Sequence, residues 1–435
     1  MKEASEAIPK EKIDVIIVGA GIVGLCSAYH ILSKEPSSKV LVLERAPSAG
    51  QGDTAKSGAA IRNTFTSEVN RMLAETSIDF YCHIQDGLKL PLHLDFVGYL
   101  WLLTSEMLEH FTPIIKRMRR DGVALKIWEG HELSDMLQGA RLHMDQTDEE
   151  AKIMDLKDIA KGLQGLKCGI IHPEKLVEFY EAEIRRMGGN VVYGEPVKSL
   201  MLGPTLNLPY EPIVWRQTSV VGVRTSKEEY RADCTILATG AWTPTLLDPL
   251  GIDSHVRTKK RQVFALKGPQ VNSLLHSKGF NEQGVLPLTL VPPCSVYLKP
   301  NPADETFWTG VADYVGRPFT FEDDPIAEQE YYQYNIYPII SHYFPHFLNV
   351  RPFNKWAGHY DMNTIDANPY VFQHPGLIVA VGTSGSGIMK ADAIGRIVAA
   401  TYAKEDIATL YGGKHFKVSR LGVETRDVEH EEFVI

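Results

Sequence analysis

Residues 13–18 read Ile-Asp-Val-Ile-Ile-Val, and Gly19-Ala20-Gly21-Ile22-Val23-Gly24 follows without a break. A helix-compatible run then leads to Val40-Leu41-Val42-Leu43 and an acid, Glu44. Strand, glycine turn, helix, strand and acid together specify a βαβ unit that starts a parallel sheet. Gly19 permits the tight turn, Gly21 lets the backbone approach a pyrophosphate, and Gly24 lets the helix lie close to the strand. The pyrophosphate is expected on the N–H groups at the start of that helix. Glu44 stands 20 positions after Gly24, where an adenosine ribose needs a carboxylate. A chain that begins by gripping a dinucleotide is expected to do redox chemistry.

With 435 residues the chain is long enough for more than one packed unit. A net charge of −9 gives no footprint for a nucleic-acid partner. The short run Lys259-Lys260-Arg261 reads as a solvated turn. Five scattered cysteines (Cys26, Cys82, Cys168, Cys234 and Cys294) include no C-x-x-C pair and fit reduced thiols in a cytoplasmic protein. Residues 1–12 lack a signal-peptide core, and no run of about 18 apolar residues predicts a transmembrane segment. Peripheral contact with the inner face of a membrane is left open.

Further along, Gly50–Ala60 is a polar, glycine-rich loop, followed by a helix from Arg71 to Gly87. Residues 96–104 read as a strand, 105–121 as an amphipathic helix, and 173–187 as a helix opened by Pro173 and stopped by Gly188-Gly189. Cys234–Gly240 and Gly376–Gly382 are buried strands running into glycine turns, the latter followed by a helix over 388–403. Between them, strands at 262–267, 295–300 and 306–312 and an aromatic-rich helix at 325–343 read as a β-rich insertion. His342 and His346 have the spacing of a metal pair, but Pro345 intervenes and no third ligand is visible, so no metal is expected.

Four segments together resemble the D-amino-acid oxidase/sarcosine oxidase (DAO) family of FAD proteins, in order and over nearly the whole chain. They are the N-terminal unit with Glu44, the loop Ala55-Lys56-Ser57-Gly58 leading to Arg62, Leu237–Trp242, and Gly382-Thr383-Ser384-Gly385-Ser386-Gly387. Within that family Trp356–Asp361, Gly382–Lys390 and Lys259–Phe264 are most similar to the archaeal dye-linked L-proline dehydrogenases. The resemblance implies an α/β fold, with a discontinuous Rossmann-like FAD-binding domain and a second α+β substrate domain on a mixed or antiparallel sheet. FAD-binding segments are expected at 13–90, 171–258 and 357–415, substrate-domain segments at 91–170 and 259–356, and a C-terminal tail at 416–435.

The resemblance also implies a set of contacts to a noncovalent FAD. In the first segment they are Gly19, Ala20, Gly21, Ile22, Val23, Gly24, Glu44, Arg45, Ala55, Lys56, Ser57 and Gly58. In the second they are Val197, Ala238, Thr239, Gly240 and Trp242. In the third they are Gly358, Gly382, Ser384, Gly385, Ser386, Gly387, Ile388 and Met389. The helix after Gly387 would aim its N-terminus at the flavin edge where negative charge builds on reduction.

For a small carboxylate-bearing substrate, the resemblance assigns the clamp to Arg62, whose planar fork matches two oxygens; a structural salt bridge is its other reading. Tyr297 resembles a substrate-cavity tyrosine and reads equally as a core residue. The relatives' carboxylate-binding lysine corresponds to Met389; Lys390, one step and ~100° further round a helix, is expected to face elsewhere. Trp308 stands where oxidases carry a lysine over the flavin, which favours a dehydrogenase. His359 takes the place of the covalent flavin cysteine, and either lines the flavin or is structural. The implied reaction oxidises the C–N bond of a small amino acid. The preferred substrate is L-proline, giving a pyrroline carboxylate, with electrons passing to a dye, a quinone or a partner redox protein. Another amino acid, sarcosine or a 2-hydroxy acid, or a flavin-bearing assembly factor, are the alternatives.

Overall fold

The computed structural model describes residues 12–433 apart from 146, 206–217, 294 and 313–316. The sequence reading of residues 1–11 and of Cys294 lies outside the described residues.

Strand Ile13–Val18 is the centre of the first sheet, and Val15, Ile16 and Ile17 are fully buried. Parallel neighbours are Val40–Leu43 on one side and the second half of Glu229–Leu237 on the other. Asn190–Val192 and Leu377–Val381 extend the parallel set, and Tyr370–His374 closes one edge antiparallel. Helix Ile22–Lys34 packs on the helix Ala391–Tyr402 and on Pro173–Arg186. Helices cover one face, and strands Val197–Pro204 and Thr218–Thr225 with helix Thr243–Leu247 cover the other, which explains the unbroken apolar runs, because neither face meets water. The first half of Glu229–Leu237 leaves this layer and pairs antiparallel with Thr218–Thr225.

The second sheet has eight strands, ordered Pro352–Met362, Arg257–Leu266, Thr306–Val311, Val296–Asn301, Leu288–Val291, Tyr99–Leu103, Lys161–Gly165 and Leu125–Glu129. It is antiparallel except where Leu288–Val291 meets Tyr99–Leu103. The amphipathic helix Ser105–Arg120 starts from Thr104, whose hydroxyl accepts from Met107 N, and it buries Ile114, Ile115 and Met118. The architecture is the expected α/β one, a Rossmann-like unit assembled from separated segments beside a mixed sheet.

Three sequence expectations are corrected. Lys259-Lys260-Arg261 is no exposed turn but the middle of a ten-residue strand, with Lys259 and Lys260 buried. Non-local pairing with Pro352–Met362 overrides the local charge signal, and Lys260 finds Glu322 and Glu328 at 3.2 and 3.0 Å. The helix anticipated over 325–343 starts at Gln329 and widens over Tyr332–Ile336 before Tyr337–Tyr343. Pro338 has no N–H to continue the ladder, which accounts for the interruption. Finally, Pro352–Met362 is hydrogen-bonded along its length to Arg257–Leu266, so the second sheet continues past residue 356 to Met362.

Candidate active site

A cleft of about 560 Å³ runs from the C-terminal ends of the parallel strands to the inner face of the second sheet. Its first end is built by the glycine turn. Glu44 Oε2 accepts from Ala20 N and its Oε1 from Ala46 N, both at 2.8 Å. Each carboxylate oxygen retains a second lone pair for a hydroxyl. A Cβ on Gly24 would lie 1.9 Å from Gly19 O, so the turn closes on itself only with glycine there. Thr54 Oγ1 accepts from Ile22 N at 3.1 Å, pinning the loop 50–58 to the start of the first helix.

The middle of the cleft is held by two aspartates. Asp53 Oδ1 accepts from His359 N at 2.8 Å, joining the loop to the second sheet. Asp361 Oδ2 accepts from Gly382 N and Thr383 N, and its Oδ1 from Thr383 Oγ1 at 2.8 Å. Burial pushes the Asp361 carboxyl up, against the pull of those three donors. The His359 ring is enclosed by Trp242, edge-on at 5.1 Å, and Phe321, stacked at 5.8 Å. Neither ring nitrogen has a hydrogen-bond partner among the described residues; Nδ1 lies 3.3 Å from Asp53 Oδ1 without the alignment for a bond. Asp323 accepts from Arg45 at 2.7 Å and from Trp242 Nε1 at 2.6 Å.

The far end is an aromatic chamber with three cations. Arg62 and Lys390 are both buried and stand near the Phe65 ring, at 4.1 and 4.7 Å from its centre. Arg261 lies 5.0 Å from the Tyr360 ring. Tyr99 and Tyr297 complete the walls; burial pushes both phenols up, so they stay protonated. Lys390 donates to Asn70 Oδ1 and to Ser386 Oγ, and burial lowers it to about 7. Glu431 also faces this chamber.

Residues 14–401 match the family described as DAO, FAD dependent oxidoreductase. The chain belongs to this family. It is 25% identical over 425 residues to FAD-dependent oxidoreductase domain-containing protein 1 of Xenopus laevis, covering 90% of this chain and 79% of that one. To the human (Homo sapiens) peroxisomal sarcosine oxidase it is 25% identical over 259 residues, covering 59% and 58%. The fold is similar to that of L-proline dehydrogenase from P. horikoshii, with a TM-score of 0.71 at 20% identity, covering 91% and 94%.

As a DAO-family oxidoreductase the protein uses FAD, and the cleft fits that group. Its glycine turn lies beside Glu44, and the nitrogens of buried His359, unpartnered among the described residues, line its middle. Of the residues expected at the cofactor, Gly19, Gly21, Ile22, Val23, Glu44, Arg45, Lys56, Ser57, Gly58, Val197, Ala238, Thr239, Gly240 and Trp242 line the cleft. So do Gly358, Ser384, Gly385, Ser386, Gly387, Ile388 and Met389. Ala20, Gly24, Ala55 and Gly382 are not among the lining residues. Arg62, Tyr297 and His359 also line it.

Trp308 does not. It meets Trp356 edge-on at 4.9 Å, has Lys299 Nζ 3.9 Å from its ring, and lines a separate hollow with Ala265, Lys267 and Phe353. Alternate residues of its strand share a face, and the cleft reaches Ala312, four residues and ~13 Å along from Trp308. Trp308 therefore carries no argument about oxygen. The sequence reading missed Lys390, Arg261, Asp361 and Glu431. An α-helical angle turns Lys390 away from Met389, yet Ile388–Lys390 is a tighter turn and the α-helix begins at Ala391. Arg261 was hidden in a basic run, although alternation along a strand would have placed it with Val263 on one face. Glu431 had no sequence signal at all.

Proposed function

We propose that this protein oxidises the C–N bond of a small amino acid whose carboxylate is held in the chamber of Arg62, Arg261 and Lys390. The observation that carries this reading is the convergence of three cations, two of them buried, on an aromatic compartment continuous with the FAD cleft. Buried cations attract a carboxylate strongly because little water competes for it. FAD, held by the glycine turn, Glu44 and the loops around Ser57 and Ser386, would supply the two-electron chemistry that takes hydride from the substrate carbon. The chain's own part is positioning: the cations fix the acid end, while Tyr99, Tyr297 and Tyr360 exclude water around the amine. The Asp361 carboxylate holds the Gly382–Thr383 turn in place. The amine enters neutral, so loss of hydride leaves a protonated imine that gives up its N–H proton after release to solvent, and no strong base is required of the protein.

L-Proline, sarcosine and glycine are the first substrates to test, L-proline being preferred, with a dye or quinone-type compound as acceptor and FAD held noncovalently. The experiment is anaerobic mixing of holoprotein with L-proline, sarcosine, glycine, D-amino acids and L-2-hydroxy acids, followed at the yellow flavin band, then with a redox dye. Bleaching by an amino acid with release of an imine is expected. Bleaching by hydroxy acids alone, or by nothing, overturns the reading.

A further inference from the structure

Phe433 and Arg62, 371 residues apart, are joined inside the protein: Arg62 Nη1 and Nη2 donate to Phe433 O at 3.2 and 3.3 Å. We propose that the C-terminal segment Glu429–Phe433 is a wall of the substrate chamber, setting Arg62 through the Phe433 carbonyl and Lys390 through Glu431 and Asn70.

Two anchors hold this arm in place. The Phe433 ring is buried against Trp101 at 4.9 Å and Phe111 at 5.2 Å. Glu431, 2% exposed, takes five donors: Thr66 N and Oγ1 at 2.8 Å, Ser67 N at 3.1 Å, Asn70 Nδ2 at 3.2 Å and Phe433 N at 3.1 Å. Such saturation leaves a carboxylate no freedom to turn. Asn70 then relays its position. Its Nδ2 is committed to Glu431, so its Oδ1 must face Lys390, whose ammonium it receives. Further bonds hold the segment, among them Asn368 Nδ2 donating to Glu429 O at 3.0 Å and Arg117 pairing with Glu432 at 2.9 Å.

An arm that merely buttressed the fold would alter stability and leave the chamber's ligand affinity and access as they are. As a wall, it fixes where both cations present themselves. Glu431 and Phe433 are thus positioning residues and not catalytic ones. This step rests on the proposed carboxylate site, and the test separates the two.

Holoprotein ending at Val428, Phe433→Ala and Glu431→Gln are compared with wild type in two measurements. Acrylamide quenching of bound-flavin fluorescence reports access to the chamber; it is expected to rise in the shortened protein and in Phe433→Ala. Acetate titration of the flavin spectrum reports the cations; its Kd is expected to rise about tenfold in Glu431→Gln, the size of one lost buried hydrogen bond, with FAD content unchanged. Quenching unchanged in Phe433→Ala, or in the shortened chain where that folds, overturns the wall. An unchanged acetate Kd in Glu431→Gln overturns the relay. Wild type insensitive to acetate, proline and sarcosine alike would instead remove the carboxylate site, while quenching still decides the wall.

Discussion

The buried Lys390 ammonium is bound by the side-chain carbonyl of Asn70, a residue 320 positions earlier. Burial lowers this lysine to about 7. Its positive charge is therefore present below that pH and lost above it. Acetate, which has no amine to confuse the titration, should bind the holoprotein with a Kd that is flat below neutrality and climbs about tenfold per pH unit above about 7. Lys390→Met should flatten the profile. A Kd constant from about pH 6 to about pH 9 in wild type would take Lys390 out of the binding site. Stability carries the same linkage. An unfolded lysine keeps its proton to about pH 10.4, so the unfolded chain binds more protons between about 7 and 10, and folding should strengthen with rising pH in that window.

Arg62 already gives part of its fork to Thr64 O and Phe433 O. Arg62→Ala should raise KM strongly while FAD content holds, with a loss of ~2–5 kcal/mol as expected for breaking a buried charge pair. Arg62→Lys should recover little, because a point charge cannot hold two carbonyls and a carboxylate in one plane. Steady-state kinetics beside a flavin-to-protein absorbance ratio checks both. An unaltered KM sinks the assignment.

Glu44 ties the glycine turn through Ala20 N and Ala46 N. Removing it in Glu44→Ala strands two main-chain donors and any ribose hydroxyl it holds. With ~1–3 kcal/mol for a buried donor left unmade, FAD affinity should fall about tenfold to a hundredfold. Equilibrium dialysis of apoprotein against FAD measures it, and full retention of FAD by the variant would exclude the ribose role.

Gly385 has φ +81°, and a Cβ there would stand 2.2 Å from Tyr360 Cε2. Gly385→Ala must therefore strain the turn and displace a chamber wall together. A loss of ~1–3 kcal/mol in stability is expected from the backbone alone, visible as a lower Tm, and a further loss of turnover from the shifted ring. An unchanged Tm would mean that the loop relaxes freely.

Local chemistry made much of the FAD end legible. Strand Ile13–Val18 and the tight glycine turn after it read correctly because they are set by near-neighbour sterics and a short-range period. Helix Pro173–Arg186 read correctly for the same reason, from a proline at its start and two glycines after its end. What failed were residues whose meaning depends on partners far along the chain. Lys259–Arg261 became a buried strand only because Pro352–Met362 pairs with it.

By itself the sequence determined the family, the βαβ grip and the loops that form the cleft, since these follow from backbone geometry within a few dozen residues. Tertiary structure alone decided the substrate end. It carried Trp308 out of the cleft, turned Lys390 in, and brought Glu431 and Phe433 from the end of the chain against Arg62 and Asn70. A side chain's solvent and partners are properties of the packed chain, and no local pattern encodes them.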